Sequence, residues 1–133
     1  MMEKTLVVIK PDAFSKGNIG NIISIYESGG LLIEKAIVLV PSEEILRRHY
    51  KAHSERPFFD SLIAFMSSGK VMALVITGES AVARVRGING ATDPANAEKG
   101  TIRNLYGSDV EANAVHGSED VNAAKEEIGI WFE

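Results

Sequence analysis

The chain has 133 residues and a mass of 14.4 kDa, enough for one domain with a hydrophobic core, so we expect residues 1–133 to form a single domain. The absence of cysteine excludes disulfides and thiolate metal sites and is compatible with the reducing cytoplasm, where we expect the protein. The net charge of −4 disfavours a dedicated nucleic-acid surface, which would neutralise phosphates, and no apolar run approaches the roughly 20 residues of a membrane span.

The first part of the chain predicts two strands separated by a helix. Residues 5–9 form a short apolar run typical of a buried strand, which ends at Lys10-Pro11-Asp12. Apolar residues then recur at helical spacing over residues 19–26, and Gly29-Gly30 would end that helix. Residues 31–40 predict the second strand, which Pro41 closes.

An additional pair of helices is predicted before the third strand. Ser42 can cap a helix that continues to about residue 54, and a second short helix is predicted over residues 58–66. Residues 71–77 are almost continuously apolar, which is typical of a strand covered on both faces. A helix over residues 80–87 follows.

The last part of the chain predicts a long loop, a strand and a helix. Residues 88–111 show no hydrophobic period, and loops of this length are usually functional or disordered. A short strand over residues 112–115 and a helix over residues 121–131 follow. Setting aside the additional helices, the order is βαββαβ, which predicts an α+β, ferredoxin-like sandwich with a four-stranded antiparallel sheet. Since many functions share this fold, the function has to be inferred from the site.

The three histidines are candidates for chemistry. His49 and His53 are four residues apart on a predicted helix, as two ligands of one metal ion would be, but no third ligand is evident, and a partly solvated helix face explains them as well. His116 stands between a predicted strand and Gly117, whose missing side chain would leave room beside the imidazole, and Ser118 can cap the following helix. From spacing alone, His116 is either structural or catalytic.

Several basic residues stand out in this acidic chain. Lys10 ends a strand, Arg86 ends a helix, and Arg103 lies in the long loop, where Thr92 adds a hydroxyl. Arginine binds phosphate oxygens through two parallel hydrogen bonds and stays charged at any working pH. Surface solvation explains each of these residues taken singly, so phosphate binding is a hypothesis at this point.

Five motifs occur in an order and spacing that resemble those of nucleoside diphosphate kinases over residues 4–132. They are KPD at 10–12, HxxRPFF at 53–59, GATDP at 90–94, GTIR at 100–103 and NAVHGS at 113–118. The resemblance implies transfer of the γ-phosphoryl group of a nucleoside triphosphate, with ATP as donor, to a nucleoside diphosphate. Such transfer balances the pools of CTP, GTP, UTP and deoxynucleotides. The implied reaction is ping-pong, with a phosphohistidine formed at Nδ1 of His116.

The resemblance also implies the other site residues. Six would bind the nucleotide: Lys10, Phe58, Arg86, Thr92, Arg103 and Asn113. Four would support the histidine or the phosphates: Tyr50, His53, Ser118 and Glu127. Phe58 would lie against the base, while Asn113 and Lys10 would reach the ribose. Mg²⁺ would arrive bound to the nucleotide, without a metal site of the protein itself.

The resemblance further implies a homo-oligomer built from dimers, with the long loop at contacts between dimers. Lys99 stands before Gly100, where many family members have a proline that would stiffen this loop. We therefore expect a tetramer or a weakly held hexamer.

Two other functions fit the same fold. A nucleotide or metabolite sensor would keep Phe58 and the arginines but would not need a histidine beside an open pocket. A single-stranded RNA binder is disfavoured by the missing aromatic strand motif and by the acidic charge. Protein-bound phosphate formed from ATP would distinguish the enzyme from both.

Overall fold

A four-stranded antiparallel sheet forms the centre of the computed structural model, which describes residues 2–132. The strands are β1 (Met2–Ile9), β2 (Leu32–Leu39), β3 (Val71–Glu79) and β4 (Val115–Gly117), in the sheet order β2-β3-β1-β4. β1 pairs with both β3 and β4 and is apolar on both faces, because Val7 and Ile9 pack into one core and Leu6 and Val8 into the other.

Seven helices cover the two faces of the sheet in the described part of the chain. They are α1 (Pro11–Ser15), α2 (Ile19–Ser28), α3 (Glu43–His49), α4 (Phe59–Met66), α5 (Ala81–Asn89), α6 (Ile102–Tyr106) and α7 (Val121–Phe132). α2 and α5 contribute to one core, and α3, α4 and α7 contribute to the other. The predicted α+β fold of βαββαβ order is confirmed, with α3 and α4 as the additional helical pair. Among residues 2–132, no helix has the length and apolar character needed to cross a membrane.

The first strand ends at Ile9, as predicted, but a short helix that was not predicted follows it. Pro11 opens this helix, α1, at a position where its missing N–H is not needed for hydrogen bonding. The predicted end of another element was wrong. The helix predicted from Ser42 does begin with that cap, since the side chain accepts from the Ile45 N–H at 3.1 Å, yet α3 ends at His49 and a 3-10 turn, Lys51–His53, follows.

The long loop contains more structure than its sequence predicted. Asp93 accepts a hydrogen bond from the N–H of Ala95, at the start of a 3-10 turn, Pro94–Asn96. Thr101 caps α6 through the N–H of Asn104. Each of these segments is too short to show a hydrophobic period, so only its cap residue signals it.

The last strand begins three residues later than predicted, at Val115 instead of residue 112. The reason is local, because Ala114 has φ of +74°, in the left-handed region that side chains disfavour and that interrupts a strand. His116 consequently lies within β4, paired with Val8 of β1, and not beyond the strand end.

Candidate active site

The sheet determines the direction of His116. Adjacent residues of a strand face opposite sides, and a Cβ on Gly117 would lie 2.7 Å from Asn89 Nδ2 of α5. The imidazole therefore faces the other side, where α3 and α7 pack. The expected role of Gly117 was wrong, because this glycine makes room for α5 and not for an approach to the imidazole.

A carboxylate determines which nitrogen of His116 carries the hydrogen. Nε2 of His116 lies 2.8 Å from Oε1 of Glu127, and the same oxygen accepts from the Ser118 hydroxyl at 2.7 Å. Ser118 is itself held by the N–H of Leu6, which donates to Oγ at 3.2 Å. Because an ionised carboxylate only accepts hydrogen bonds, Nε2 carries the hydrogen, and Nδ1 of the neutral ring keeps a free lone pair. Nδ1 can therefore act as a nucleophile.

Ser118 does not cap the following helix, as its sequence position had suggested. It is fully buried between β1 and Glu127, and Asp120 provides the cap instead, with Oδ1 accepting from the N–H of Ala123 at 2.7 Å. The hydroxyl is therefore available to orient the carboxylate.

Two aromatic side chains border His116, and a third holds one of them. The His49 ring centroid lies 4.4 Å from that of His116 in a near-perpendicular arrangement, and the Tyr50 centroid lies at 6.5 Å. Trp131 Nε1 donates to His49 Nδ1 at 2.9 Å. Burial lowers the pKa of His49 well below its usual 6.5 and raises the pKa of Tyr50, so both side chains are neutral at neutral pH.

Lys10 connects the end of β1 to the loop before β4. Its Nζ donates to Asn113 Oδ1 at 2.8 Å and to the Glu111 carbonyl at 3.3 Å, while Asn113 Nδ2 donates to the Thr92 carbonyl at 2.9 Å. Burial, followed by the nearby Arg103, lowers the pKa of Lys10 to about 8. Phosphate oxygens placed here would stabilise the charged amine.

Arg103 joins three segments of the site. Nη1 donates to the Gly90 carbonyl and Nη2 to the Val115 carbonyl, both at 2.8 Å. Burial and, secondarily, the positive charge of Arg86 lower the pKa of Arg103. Gly90 is required at its position, because its φ is +86° and a Cβ would lie 2.5 Å from Thr101 Oγ1.

The remaining predicted residues lie at the protein surface. Phe58 is 47% exposed, and its ring centroid is 5.6 Å from that of His53, which is also exposed. Thr92 and Arg86 are exposed as well. The site therefore has a buried end at His116 and an open end that carries an aromatic face and cationic groups.

Three residues of this region were not identified from the sequence. Asp12 belongs to the KPD motif, but no role was predicted for it. Its Oδ2 accepts a hydrogen bond from the N–H of Ala114 at 3.1 Å and so holds the residue with left-handed φ before β4. His49 had been considered only as a partner of His53, and Trp131 only as part of a helix stripe. Nothing in the spacing of these two signals that they meet beside His116.

A cluster of metal-ligating side chains forms at His116 and does not include His53. Within residues 2–132, the one group of three or more suitable donors is His49, His116 and Glu127, whose ligand atoms lie within 4.8 Å of one another. Two imidazoles and one carboxylate do not suit Mg²⁺, which prefers oxygen ligands in octahedral geometry.

Comparison with known proteins identifies the family. The model of the nucleoside diphosphate kinase family matches residues 3–133. The chain belongs to the nucleoside diphosphate kinase family. The prediction of a phosphotransferase of this family, acting on nucleotides, is therefore confirmed.

Individual members of the nucleoside diphosphate kinase family are similar to this chain over about nine tenths or more of their own length. The kinase of Caldanaerobacter subterraneus subsp. tengcongensis is 50% identical over 131 residues, which are 98% of this chain and 94% of the relative. The crystal structure of the Aquifex aeolicus kinase has a TM-score of 0.96 at 40% identity and covers 100% of this chain and 96% of its own. The structure of the Halobacterium salinarum kinase in complex with CDP has a TM-score of 0.96 at 41% identity. The match covers 100% of this chain and 89% of the Halobacterium chain.

Proposed function

We propose that this kinase transfers the γ-phosphoryl group of ATP or another nucleoside triphosphate to a nucleoside diphosphate in two steps through His116. The observation that carries the proposal is the hydrogen bond between His116 Nε2 and Glu127, because it leaves Nδ1 free. Residues 1–133 would act as one domain, in the cytoplasm, where ATP and Mg²⁺ are available. The cellular role would be to balance the pools of CTP, GTP, UTP and deoxynucleotides.

The first step forms a nitrogen–phosphorus bond. The Nδ1 lone pair attacks the γ-phosphorus, the bond from that phosphorus to the β,γ-bridging oxygen breaks, and the nucleoside diphosphate leaves with the electron pair. The imidazole becomes cationic, and Glu127 stabilises the charge through the Nε2 hydrogen. In the second step a terminal oxygen of another diphosphate attacks the same phosphorus, and the bond to Nδ1 breaks. One site thus serves donor and acceptor in turn.

The basic residues would hold the phosphates during both steps. Phosphoryl transfer depends mainly on positioning and on stabilising charge over the equatorial oxygens. Arg103 is oriented by its bonds to two backbone carbonyls, and Arg86 and Lys10 add positive charge nearby. Thr92 would add a hydroxyl donor, and His53 would contact the phosphates from the open end.

Mg²⁺ would be held mainly by the nucleotide phosphates, because the donor group at His116 does not suit it. When bound, Mg²⁺ would neutralise phosphate charge. Lys10, Arg86 and Arg103 would orient the phosphate oxygens that the ion leaves free.

The base would stack on Phe58, whose exposed ring lies at the open end of the site. Phe58→Ala is expected to weaken the binding of all nucleoside diphosphates by about 1–3 kcal/mol, the range for loss of a base–aromatic stack. Calorimetric titration with purine and pyrimidine diphosphates measures this, and Phe58→Tyr, which keeps the ring, serves as the control. A loss confined to one base would instead indicate a hydrogen-bonded base pocket.

Nucleotide binding at pH 8 is expected to take up about half a proton through Lys10. The free enzyme has a Lys10 pKa of about 8, so half of its amines are neutral at that pH, and ionised phosphates raise the pKa on binding. The binding heat of ADP should therefore differ between buffers of different ionisation enthalpy.

The matched control for this proton uptake is an exposed lysine. Lys16→Met should keep the buffer dependence, whereas Lys10→Met should lose it. Equal heats in all buffers for the unmodified protein would contradict the expected titration of Lys10.

The burial of Lys10 also predicts how the free energy of unfolding depends on pH in the absence of nucleotide. The pKa of Lys10 is lower in the folded chain than in the unfolded one, so between pH 8 and the unfolded value of 10.5 the unfolded chain binds more protons. The contribution of Lys10 to the free energy of unfolding therefore rises with pH in this window.

A homo-oligomer built from dimers would cover the edge strand β2. Among residues 2–132, this strand pairs only with β3. It exposes apolar side chains that solvent does not favour: Leu32, Ile37 and Val38, with Val40 just beyond its end. Uncovered edge strands of this kind pair readily with another strand. Further association of dimers into a tetramer or a weakly held hexamer remains the expectation from Lys99.

Val38→Glu is expected to shift the oligomer towards the monomer, because a charge would be buried wherever a second copy covers β2. Light scattering over a dilution series measures the shift. Val121→Glu is the matched control, since Val121 is 48% exposed, Val38 is 45% exposed, and an acidic residue is tolerated in the first turn of α7. An unchanged mass for Val38→Glu would exclude β2 as the dimer contact.

Incubation of the protein with γ-labelled ATP tests the proposed function. We expect stoichiometric, acid-labile and base-stable phosphate on the protein and its transfer to any added nucleoside diphosphate. Nucleotide binding without protein-bound phosphate would instead favour a sensor.

A further inference from the structure

His49, the last residue of α3, lies against the reacting histidine without a role in the steps above. Its ring is 4.4 Å from that of His116 between centroids, 4.5 Å from Tyr50 and 5.6 Å from Trp131. These contacts enclose the imidazole of His49 on several sides. His49 therefore packs beside His116 and does not lie on a solvated helix face.

The hydrogen bond from Trp131 determines the tautomer of His49. An indole N–H can only donate, so His49 Nδ1, its partner at 2.9 Å, must be the unprotonated nitrogen. The hydrogen of the neutral ring is therefore on Nε2. Since burial, His116 and Lys10 all lower the pKa of His49, the ring remains in this form at neutral pH. His49 is a neutral donor of fixed orientation.

This donor lacks an acceptor within residues 2–132. Among the described residues, His49 Nε2 is buried without a hydrogen-bond partner, and so is the hydroxyl of the adjacent Tyr50. Buried donors without a partner are rare in folded proteins, because each has lost its bond to water. Two such donors side by side next to His116 match an acceptor with several oxygens. A phosphoryl group on His116 has that chemistry.

We propose that His49 Nε2–H donates a hydrogen bond to a non-bridging oxygen of the phosphoryl group that moves to and from His116, and that Trp131 is the positioning residue that fixes this donor. The inference rests on the proposed phosphohistidine. The hydrogen stays on His49 throughout, so no proton is transferred. The bond would stabilise the negative charge that spreads over the equatorial oxygens in the transition state.

Three substitutions of His49 distinguish the effect of the N–H donor from the effect of the side-chain shape. Glutamine places an amide N–H near the position of Nε2, asparagine places its amide near Nδ1, and phenylalanine keeps a planar ring without nitrogen. Rapid-quench phosphorylation by ATP measures the rate of the first step. The ³¹P resonance of the phosphoenzyme reports the hydrogen bonding of the phosphoryl oxygens, which a purely structural role would not change.

We expect His49→Phe and His49→Asn to slow phosphorylation roughly 100-fold, as loss of one oxyanion donor does, with unchanged ADP affinity and a shifted ³¹P resonance. His49→Gln should recover most of the rate. Trp131→Phe should slow the step less, because the donor is kept but its tautomer is no longer fixed.

Three results would overturn the inference. One is a wild-type rate and ³¹P resonance in His49→Phe or His49→Asn, with only thermal stability reduced. The second is an equal loss in His49→Gln and His49→Asn, which would show that the amide position does not matter; this pair decides the question even where His49→Phe does not fold. The third is an unmodified protein that forms no protein-bound phosphate, in which case the proposed function fails first and this inference with it.

Discussion

His116→Ala is expected to abolish protein phosphorylation and phosphoryl transfer while nucleotide binding persists. Alanine has no lone pair to attack the γ-phosphorus, so the covalent step is lost completely and not merely slowed. Phe58, Arg103 and Lys10 remain in place, so the affinity for ADP should stay close to that of the unmodified protein. Labelled ATP measures the phosphoenzyme, and calorimetric titration measures the binding.

The control for this experiment is another histidine of the same site. His53 is exposed, and within residues 2–132 it takes no part in the hydrogen bonds that join Glu127 to His116 and Ser118. His53→Ala should therefore still form the phosphoenzyme. A His116→Ala variant that exchanges phosphate at a rate near the original would contradict the histidine mechanism. Initial rates of the unmodified protein should give parallel lines at several donor concentrations, as a covalent intermediate requires.

Glu127→Gln is expected to lower the rate of phosphorylation by roughly 10²- to 10⁴-fold. The upper value is the loss of rate in another enzyme when the carboxylate that orients its catalytic histidine is replaced by an amide. The neutral amide cannot stabilise the imidazolium that forms when Nδ1 attacks. If its NH₂ group faces His116, the ring must also carry its hydrogen on Nδ1, which removes the nucleophile. Single-turnover kinetics with ATP measures this loss.

Glu126→Gln provides the matched control, because the two glutamates are adjacent on α7 and Glu126 is exposed. It removes the same charge from the same helix but leaves the contact with His116 intact, so its rate should stay within about twofold. Surface substitutions of this kind rarely change stability by more than about 0.5 kcal/mol. Equal rates for Glu127→Gln and Glu126→Gln would show that Glu127 does not orient the histidine.

Most of the fold could be predicted because hydrophobic periodicity is a local property of the sequence. The almost continuous apolar run at residues 71–77 forms the first seven of the nine residues of β3, and Ser42 caps α3 as expected. The short helices α1 and α6 were missed, because a segment of five residues holds little more than one helical turn and shows no period. The start of β4 was wrong because nothing in the residue type of Ala114 signals a left-handed φ.

The residues of the candidate site could be named from motifs, but their contacts could not. Lys10 and Asn113 belong to two matched motifs, yet 103 positions separate them in the chain, and only the pairing of β1 with β4 brings the amine within 2.8 Å of the amide oxygen. Gly117 shows the converse case. Its sequence position suggested space beside the imidazole, but the alternation of side chains along β4 directs it to the opposite face.

The sequence by itself determined the family, the order of the strands and the longer helices, and the choice of His116 as the candidate nucleophile. Each of these depends on residue types at fixed spacings, which the chain carries before it folds. Only the tertiary structure decided that Nδ1 is the free nitrogen of His116 and that His49 presents a donor beside it that has no partner within residues 2–132. Those two facts depend on Glu127 and Trp131 of α7 meeting side chains of β4 and α3. Hydrogen bonds have strict requirements for distance and direction, and packing of distant segments satisfies them in ways that spacing along the chain does not encode.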